Sequence, residues 1–127
     1  MKPSEVMIGD YLLDRSGFPK KVDEVLDDGV LLGGVYHHMA EMKDIPTTEE
    51  VIEKNGFEKQ TDEFGKEYYN LVGTDFCVLY VDNIWWFGQM DCESETHNRP
   101  DPIFAVNKVH KLQHALRMCD IEKEVVL

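Results

Sequence analysis

The fold is decided near the end of the chain, where residues 103–119 have the sequence IFAVNKVHKLQHALRMC. The first of these residues are apolar and favour a strand, and Asn107 is a suitable N-cap for a helix that follows. At about 100° per residue, one arc of that helix is apolar and consists of Ala105, Val109, Leu112, Leu116 and Cys119. The stretch therefore predicts a strand followed by an amphipathic helix that packs on a sheet.

Before this stretch, three further strands are predicted at residues 67–72, 76–81 and 84–88. Their short connections favour an antiparallel meander, and the sheet would lie under the C-terminal helix. The polar, proline-bearing residues 90–102 are predicted to form an exposed loop.

A short helix is predicted to precede the meander, at residues 48–54. Thr47 and Glu50 have the spacing of a capping box, and Gly56 can end the helix in the left-handed conformation. Phe57 is then expected to fold back onto Ile52.

The first 44 residues predict a small β unit. Turn signals at Gly17, Asp28-Gly29 and Gly33-Gly34 separate short apolar runs. Strands at this spacing favour an SH3-like antiparallel sheet or barrel. The predicted fold class is therefore α+β, in a single domain over residues 1–127 with subregions 1–44 and 45–127.

The composition favours a cytoplasmic protein. The three cysteines are Cys77, Cys92 and Cys119, which form no CxxC pair, and no signal peptide or membrane-spanning run is visible. The formal net charge is −12. Residues 102–127 carry four basic and three acidic side chains, so the rest of the chain carries −13. Such an acidic body argues against direct nucleic-acid binding, because phosphates would be repelled.

Three stretches of the chain resemble a family of small uncharacterised proteins of Bacteroidetes and of their phages or mobile elements. The stretches are Ile8-Gly9-Asp10-Tyr11, then residues 45–50 with Gly56-Phe57, then Val109-His110-Lys111-Leu112-Gln113-His114. The family has Asn where this chain has His114, and an aromatic pair where it has Leu116 and Arg117. The resemblance implies a shared fold and an origin in a mobile element, and it implies no activity.

The most suggestive pair for chemistry is His110 and His114, four residues apart on the predicted helix. That is metal-ligand spacing, but no Glu completes an HExxH motif and the sequence places no third ligand. We expect two solvated histidines. The family resemblance at His110 and Gln113 implies a second interpretation, in which both side chains are buried or half-buried and hydrogen-bond to nearby backbone.

The other candidates give no catalytic constellation. His37 and His38 are adjacent, so on a strand they point to opposite faces. Cys77 and Cys119 are expected in the core, and Cys92 lies with His97 in an acidic loop where a thiolate would be disfavoured. We therefore predict no catalytic residue, no metal and no cofactor.

The remaining hypothesis is a contact surface. Trp85 and Trp86 must face opposite sides of their strand, so one of them can be exposed, unless the short helix covers it. The last helix carries a strip of basic side chains that could also contact a partner. The predicted contact surface therefore consists of the two tryptophans and this contact strip, namely Trp85, Trp86, His110, Lys111, His114 and Arg117. This favours a non-catalytic binding or accessory protein with a protein partner, no membrane contact and a possible homo-oligomer. The alternatives are an acidic nucleic-acid mimic and a small metal-dependent enzyme using His110 and His114.

Overall fold

A computed structural model shows an α+β protein, with two antiparallel sheets and two helices over the residues that it describes. It describes residues 5–62, 65–91 and 99–127, and for residues 90, 91 and 99–103 it describes the backbone. The predicted fold class is therefore confirmed. Cys92 and His97, which the sequence assigns to an acidic loop, lie outside the described residues.

The first sheet has four strands in the order β1-β2-β3-β4, namely Tyr11–Leu13, Pro19–Val25, Gly29–Leu32 and Val35–His38. Gly33 and Gly34 both have positive φ, as the two-residue hairpin between β3 and β4 requires. After a 3-10 turn at Met39–Glu41, the chain returns to β1, where Leu13 and Lys43 pair through their backbones. The four strands lie in the runs that the three predicted turn signals separate, and the SH3-like description stays a prediction.

A separate core lies within this sheet. It consists of Val6, Leu12, Val22, Val30, Leu32, Met39 and Met42. On β2, Val22 is buried between exposed polar side chains, and on β3, Val30 and Leu32 are buried two residues apart, so one face of the sheet packs on this core.

Helix α1 spans Glu49–Lys54, and its N-cap differs from the predicted one. Thr48 is the cap, because its hydroxyl accepts a hydrogen bond from the Val51 N–H at 3.3 Å. Thr47 is buried instead, and its hydroxyl donates to the carbonyl of Val106 at 2.5 Å. Gly56 ends the helix with φ +86°, as predicted.

The second sheet is a five-stranded meander, β5-β6-β7-β8-β9. Its strands are Phe57–Thr61, Glu67–Leu71, Phe76–Val81, Ile84–Asp91 and Arg99–Ala105. The first strand was not predicted, because only Phe57 of its five residues is buried and no apolar alternation marks it. The predicted loop at residues 90–102 is wrong at both ends, since residues 90–91 and 99–102 extend β8 and β9.

Helix α2 spans Val109–Met118 and packs on the second sheet. Val109, Leu112 and Leu116 of the predicted apolar arc belong, with Ala115, to a core that also holds Phe57, Val78 and Phe87. Ala105 was wrongly placed on this arc, because it is the exposed last residue of β9. The predicted N-cap is wrong, because Lys108 occupies that position without a side-chain cap bond. The Asn107 side chain accepts instead from the Trp85 N–H at 2.7 Å.

Candidate functional site: a polar joint between the two sheets

Most of the ionisable and hydrogen-bonding side chains considered above meet where α2 contacts the start of β1. We call this cluster the polar joint and define it as Asp10, Asp44, His110, Gln113, His114 and Arg117. Its members come from the turn before β1, from the segment between the sheets and from α2. The joint lies between the two cores, so its contacts bear on how the sheets are held together.

Asp10 is the centre of the polar joint and is fully buried. Its Oδ2 accepts from the Met7 N–H at 2.7 Å and lies 2.6 Å from Nε2 of His114. Its Oδ1 accepts from Nη1 of Arg117 at 3.0 Å. A buried carboxylate is costly unless it is paired and hydrogen-bonded. The three contacts meet that requirement, so Asp10 ties α2 to the turn before β1.

Gln113 extends the same connection to the backbone. Its Oε1 accepts from the Tyr11 N–H at 2.8 Å, and its Nε2 donates to the carbonyl of Gly9 at 3.0 Å. The amide thus satisfies one donor and one acceptor of the chain entering β1. The interpretation that Gln113 is buried and bonded to backbone is confirmed, although the backbone it bonds lies about 100 residues earlier in sequence.

His110 is fully buried, yet neither ring nitrogen has a hydrogen-bond partner among the described residues. Its Nδ1 lies 3.7 Å from Oδ1 of Asp44, an atom that is also buried without a bond. The other oxygen of Asp44 pairs with Nζ of Lys108 at 2.7 Å. Burial lowers the pKa of His110, while the carboxylates of Asp44 and Asp10 act in the opposite direction.

The prediction of two solvated histidines is wrong. His110 has no exposed side-chain surface, and the side chain of His114 is 17% exposed. The helix projection placed both on the polar side correctly, but that side faces the joint rather than water. In the predicted contact strip, His110 is therefore hidden, and Arg117 is bound to Asp10.

The segment between the sheets joins the same region through its backbone. The Val109 N–H donates to the carbonyl of Ile45, and the Thr47 N–H donates to the carbonyl of Asn107, both at 2.8 Å. The three stretches that carry the family resemblance therefore meet along α2, residues 45–47 at its start and residues 9–11 further along it. Their shared role in this structure is to hold segments together that are distant in sequence.

The polar joint offers little chemistry beyond hydrogen bonding. Among the described residues, no group of three or more His, Cys, Asp or Glu side chains is placed to hold a metal ion. Burial raises the pKa of the Cys77 thiol to about 12 and also raises that of Cys119, so neither is an activated nucleophile. His37 is buried and His38 exposed at the end of β4, on opposite faces as predicted.

The two tryptophans lie on opposite faces of the second sheet, as their spacing predicts. Trp85 packs against the main core, with its ring centroid 5.7 Å from that of Tyr69. Among the described residues, Trp86 is part of neither core, and it pairs across the strands with Leu79. Both helices pack on the Trp85 side. The short helix therefore does not cover Trp86.

We define the outer face as the side of the second sheet that carries Tyr68, Leu79, Val81, Ile84 and Trp86. Four of these side chains are half-buried, and Val81 is 43% exposed. A groove of about 600 Å³ lies along it, between Tyr68 and the end of β7. Asp62, Lys66 and Glu67 supply charge at its edge.

Comparison of the chain with protein-family models, with curated proteins and with solved structures finds no match. The family resemblance therefore stays a prediction. Within the described part of the chain, no helix is long and apolar enough to cross a membrane.

Sequence reasoning missed two members of the joint, Asp10 and Asp44, as functional residues. Asp10 lies in a stretch that the resemblance had already marked, but nothing in its local pattern indicates burial. Its side-chain partners, His114 and Arg117, follow more than 100 residues later, and only the tertiary fold brings them to Asp10.

Proposed function

We propose that this protein is a non-catalytic binding protein and that it contacts another protein through the outer face. The proposal rests on the apolar character of this face. Both helices pack on the opposite side of the sheet, so they do not cover it. Tyrosine and tryptophan are enriched at the centres of protein interfaces. The reactive side chains, in contrast, are engaged in the polar joint.

The partner is inferred to present an apolar side chain flanked by basic ones. The groove is lined by Tyr68, Leu79 and Val81, which suit an apolar anchor. The edge carries Lys66 as well as Asp62 and Glu67, and Glu67 pairs with Lys59, so the basic surrounding is inferred mainly from the net charge of −12. Opposite charges speed encounter and select against acidic partners.

The nucleic-acid mimic is less well supported by the distribution of carboxylates. A mimic needs them gathered on one face at phosphate-like spacing. The exposed carboxylates here are spread over both sheets, α1 and the C-terminal segment, including Glu24, Asp28, Glu53, Glu58 and Glu122.

A matched pair of substitutions tests the proposal. Val81→Lys places a cation on the outer face, and Val35→Lys makes the same change on β4 of the first sheet, where the valine is 56% exposed. A partner isolated with the wild-type protein is expected to bind purified wild type and Val35→Lys equally. Its affinity for Val81→Lys should fall at least roughly tenfold, because a charge would be buried in the interface.

Equal affinity for both variants would place the interface elsewhere. Displacement of the partner by duplex DNA would favour the mimic. Turnover in a broad hydrolase and transferase screen, abolished by a point mutation such as His114→Gln, would contradict a non-catalytic role.

A further inference from the structure

Three cationic side chains from distant segments line one small pocket. They are Lys21 of β2, Arg117 of α2 and Lys123 of the segment after α2. The pocket encloses about 220 Å³, and the other lining residues are Gly9, Gln113, Glu124 and Val125. In a chain of net charge −12, this is a local reversal of sign.

Arg117 is held in place by contacts on the side of its guanidinium that faces Asp10 and Gly9. Its Nη1 donates to buried Asp10, which fixes the guanidinium plane. A Cβ atom on Gly9 would lie 3.1 Å from Nη2, so the missing side chain lets the guanidinium approach the backbone. Gly9 also has φ +89°, a conformation that favours glycine. Guanidinium has five N–H donors. Asp10 is its one side-chain partner among the described residues, which leaves donors for a further acceptor.

The two lysines differ in how they are engaged. Lys123 has no ion pair within the described part of the chain, and its Nζ lies beside Gly56, 3.5 Å from where a Cβ on that glycine would be, so its flexible side chain can turn toward an anion. Lys21 pairs with Glu124, but the Glu124 side chain is 68% exposed, and exposed pairs of this kind are weak. An incoming anion can therefore take the place of Glu124 beside Lys21.

We propose that this pocket binds a small oxyanion, a phosphate or carboxylate group of a small molecule. A guanidinium fork suits the geometry of such oxygens, and the ammonium groups add point charges around them. The site is separate from the outer face and does not depend on the proposed protein contact. At physiological ionic strength, charges beyond about 8 Å are largely screened, so the acidic body does not prevent binding.

The test is a titration with inorganic phosphate at constant ionic strength, followed by amide NMR shifts. Saturable shifts are expected at Gly9, Lys21, Arg117 and Lys123 in the millimolar range. Lys123→Gln should weaken binding by roughly fivefold or more, because it removes a charge-assisted contact. Lys20→Gln is the matched control, since it removes the same charge one residue from Lys21 but outside the pocket, and it should bind like wild type.

A second variant gives the opposite expectation. Glu124→Gln releases Lys21 and removes a negative charge from the pocket, so it should bind phosphate more tightly than wild type. A parallel titration with acetate distinguishes a carboxylate ligand from a phosphate ligand. The proposal is overturned if the pocket amides do not shift, or if Lys123→Gln and Lys20→Gln weaken binding equally.

Discussion

At the scale of single residues, the polar joint shows what local pattern can and cannot predict. The spacing of His110 and His114 correctly marks them as facing one side of a helix. Whether that side faces water or protein depends on Asp10 and Asp44, and both residues lie far from α2 in the sequence. Burial of these histidines could therefore not be predicted from helical periodicity.

From the burial of His110 we predict how the free energy of unfolding depends on pH. Burial lowers its pKa below the usual value of 6.5, although Asp44 and Asp10 oppose this and His114 and Lys111 reinforce it. The unfolded chain then binds the proton more readily than the folded protein. The contribution of neutral His110 is complete above about pH 6.5 and is lost as the pH falls through the lowered pKa.

Urea unfolding of His110→Gln measured across this pH range provides the check. The variant should lose less stability than wild type between about pH 7 and about pH 5, because glutamine does not titrate. His38→Gln, at an exposed histidine, is the control. It loses the bond from the Ala40 N–H that caps the 3-10 turn, so its curve is expected to lie below that of wild type and to run parallel to it. If all three proteins decline in parallel, the burial of His110 does not set the slope.

At the scale of elements, strands with buried apolar alternation were predictable and polar edge strands were not. β5 carries Glu58, Lys59 and Gln60 with exposed side chains, so only its pairing with β6 identifies it. β9 contains Pro100 and Pro102, which are typical of loops but are also tolerated in an edge strand. The helix caps were misplaced by one residue, because tertiary hydrogen bonds recruit Thr47 and Asn107.

The two neighbouring threonines give a matched test of this assignment. Thr47→Val should lower the free energy of unfolding by about 1–3 kcal/mol, because the buried carbonyl of Val106 loses its side-chain donor. Thr48→Val removes an exposed cap bond and should cost about 1 kcal/mol or less. Chemical denaturation of both variants measures the difference. The reverse order would identify Thr47 as the functional helix cap.

At the scale of the whole molecule, two cores are connected through α2 and the segment before α1. Composition and turn signals predict two β-rich halves, and the structure contains a sheet in each. The connection between them was not predictable, because it depends on Asp10 and Gln113 meeting across the chain. We infer that the polar joint is chiefly structural and that it leaves the outer face for contact with a partner.

The most direct test of this claim is the free energy of unfolding of Asp10→Asn, compared with Asp75→Asn at an exposed position. Asparagine keeps the shape of the side chain and removes the charge that pairs with Arg117. The structural account predicts a loss of about 2–4 kcal/mol for Asp10→Asn and about 0.5 kcal/mol or less for the control. A stability of Asp10→Asn equal to that of the control would contradict it.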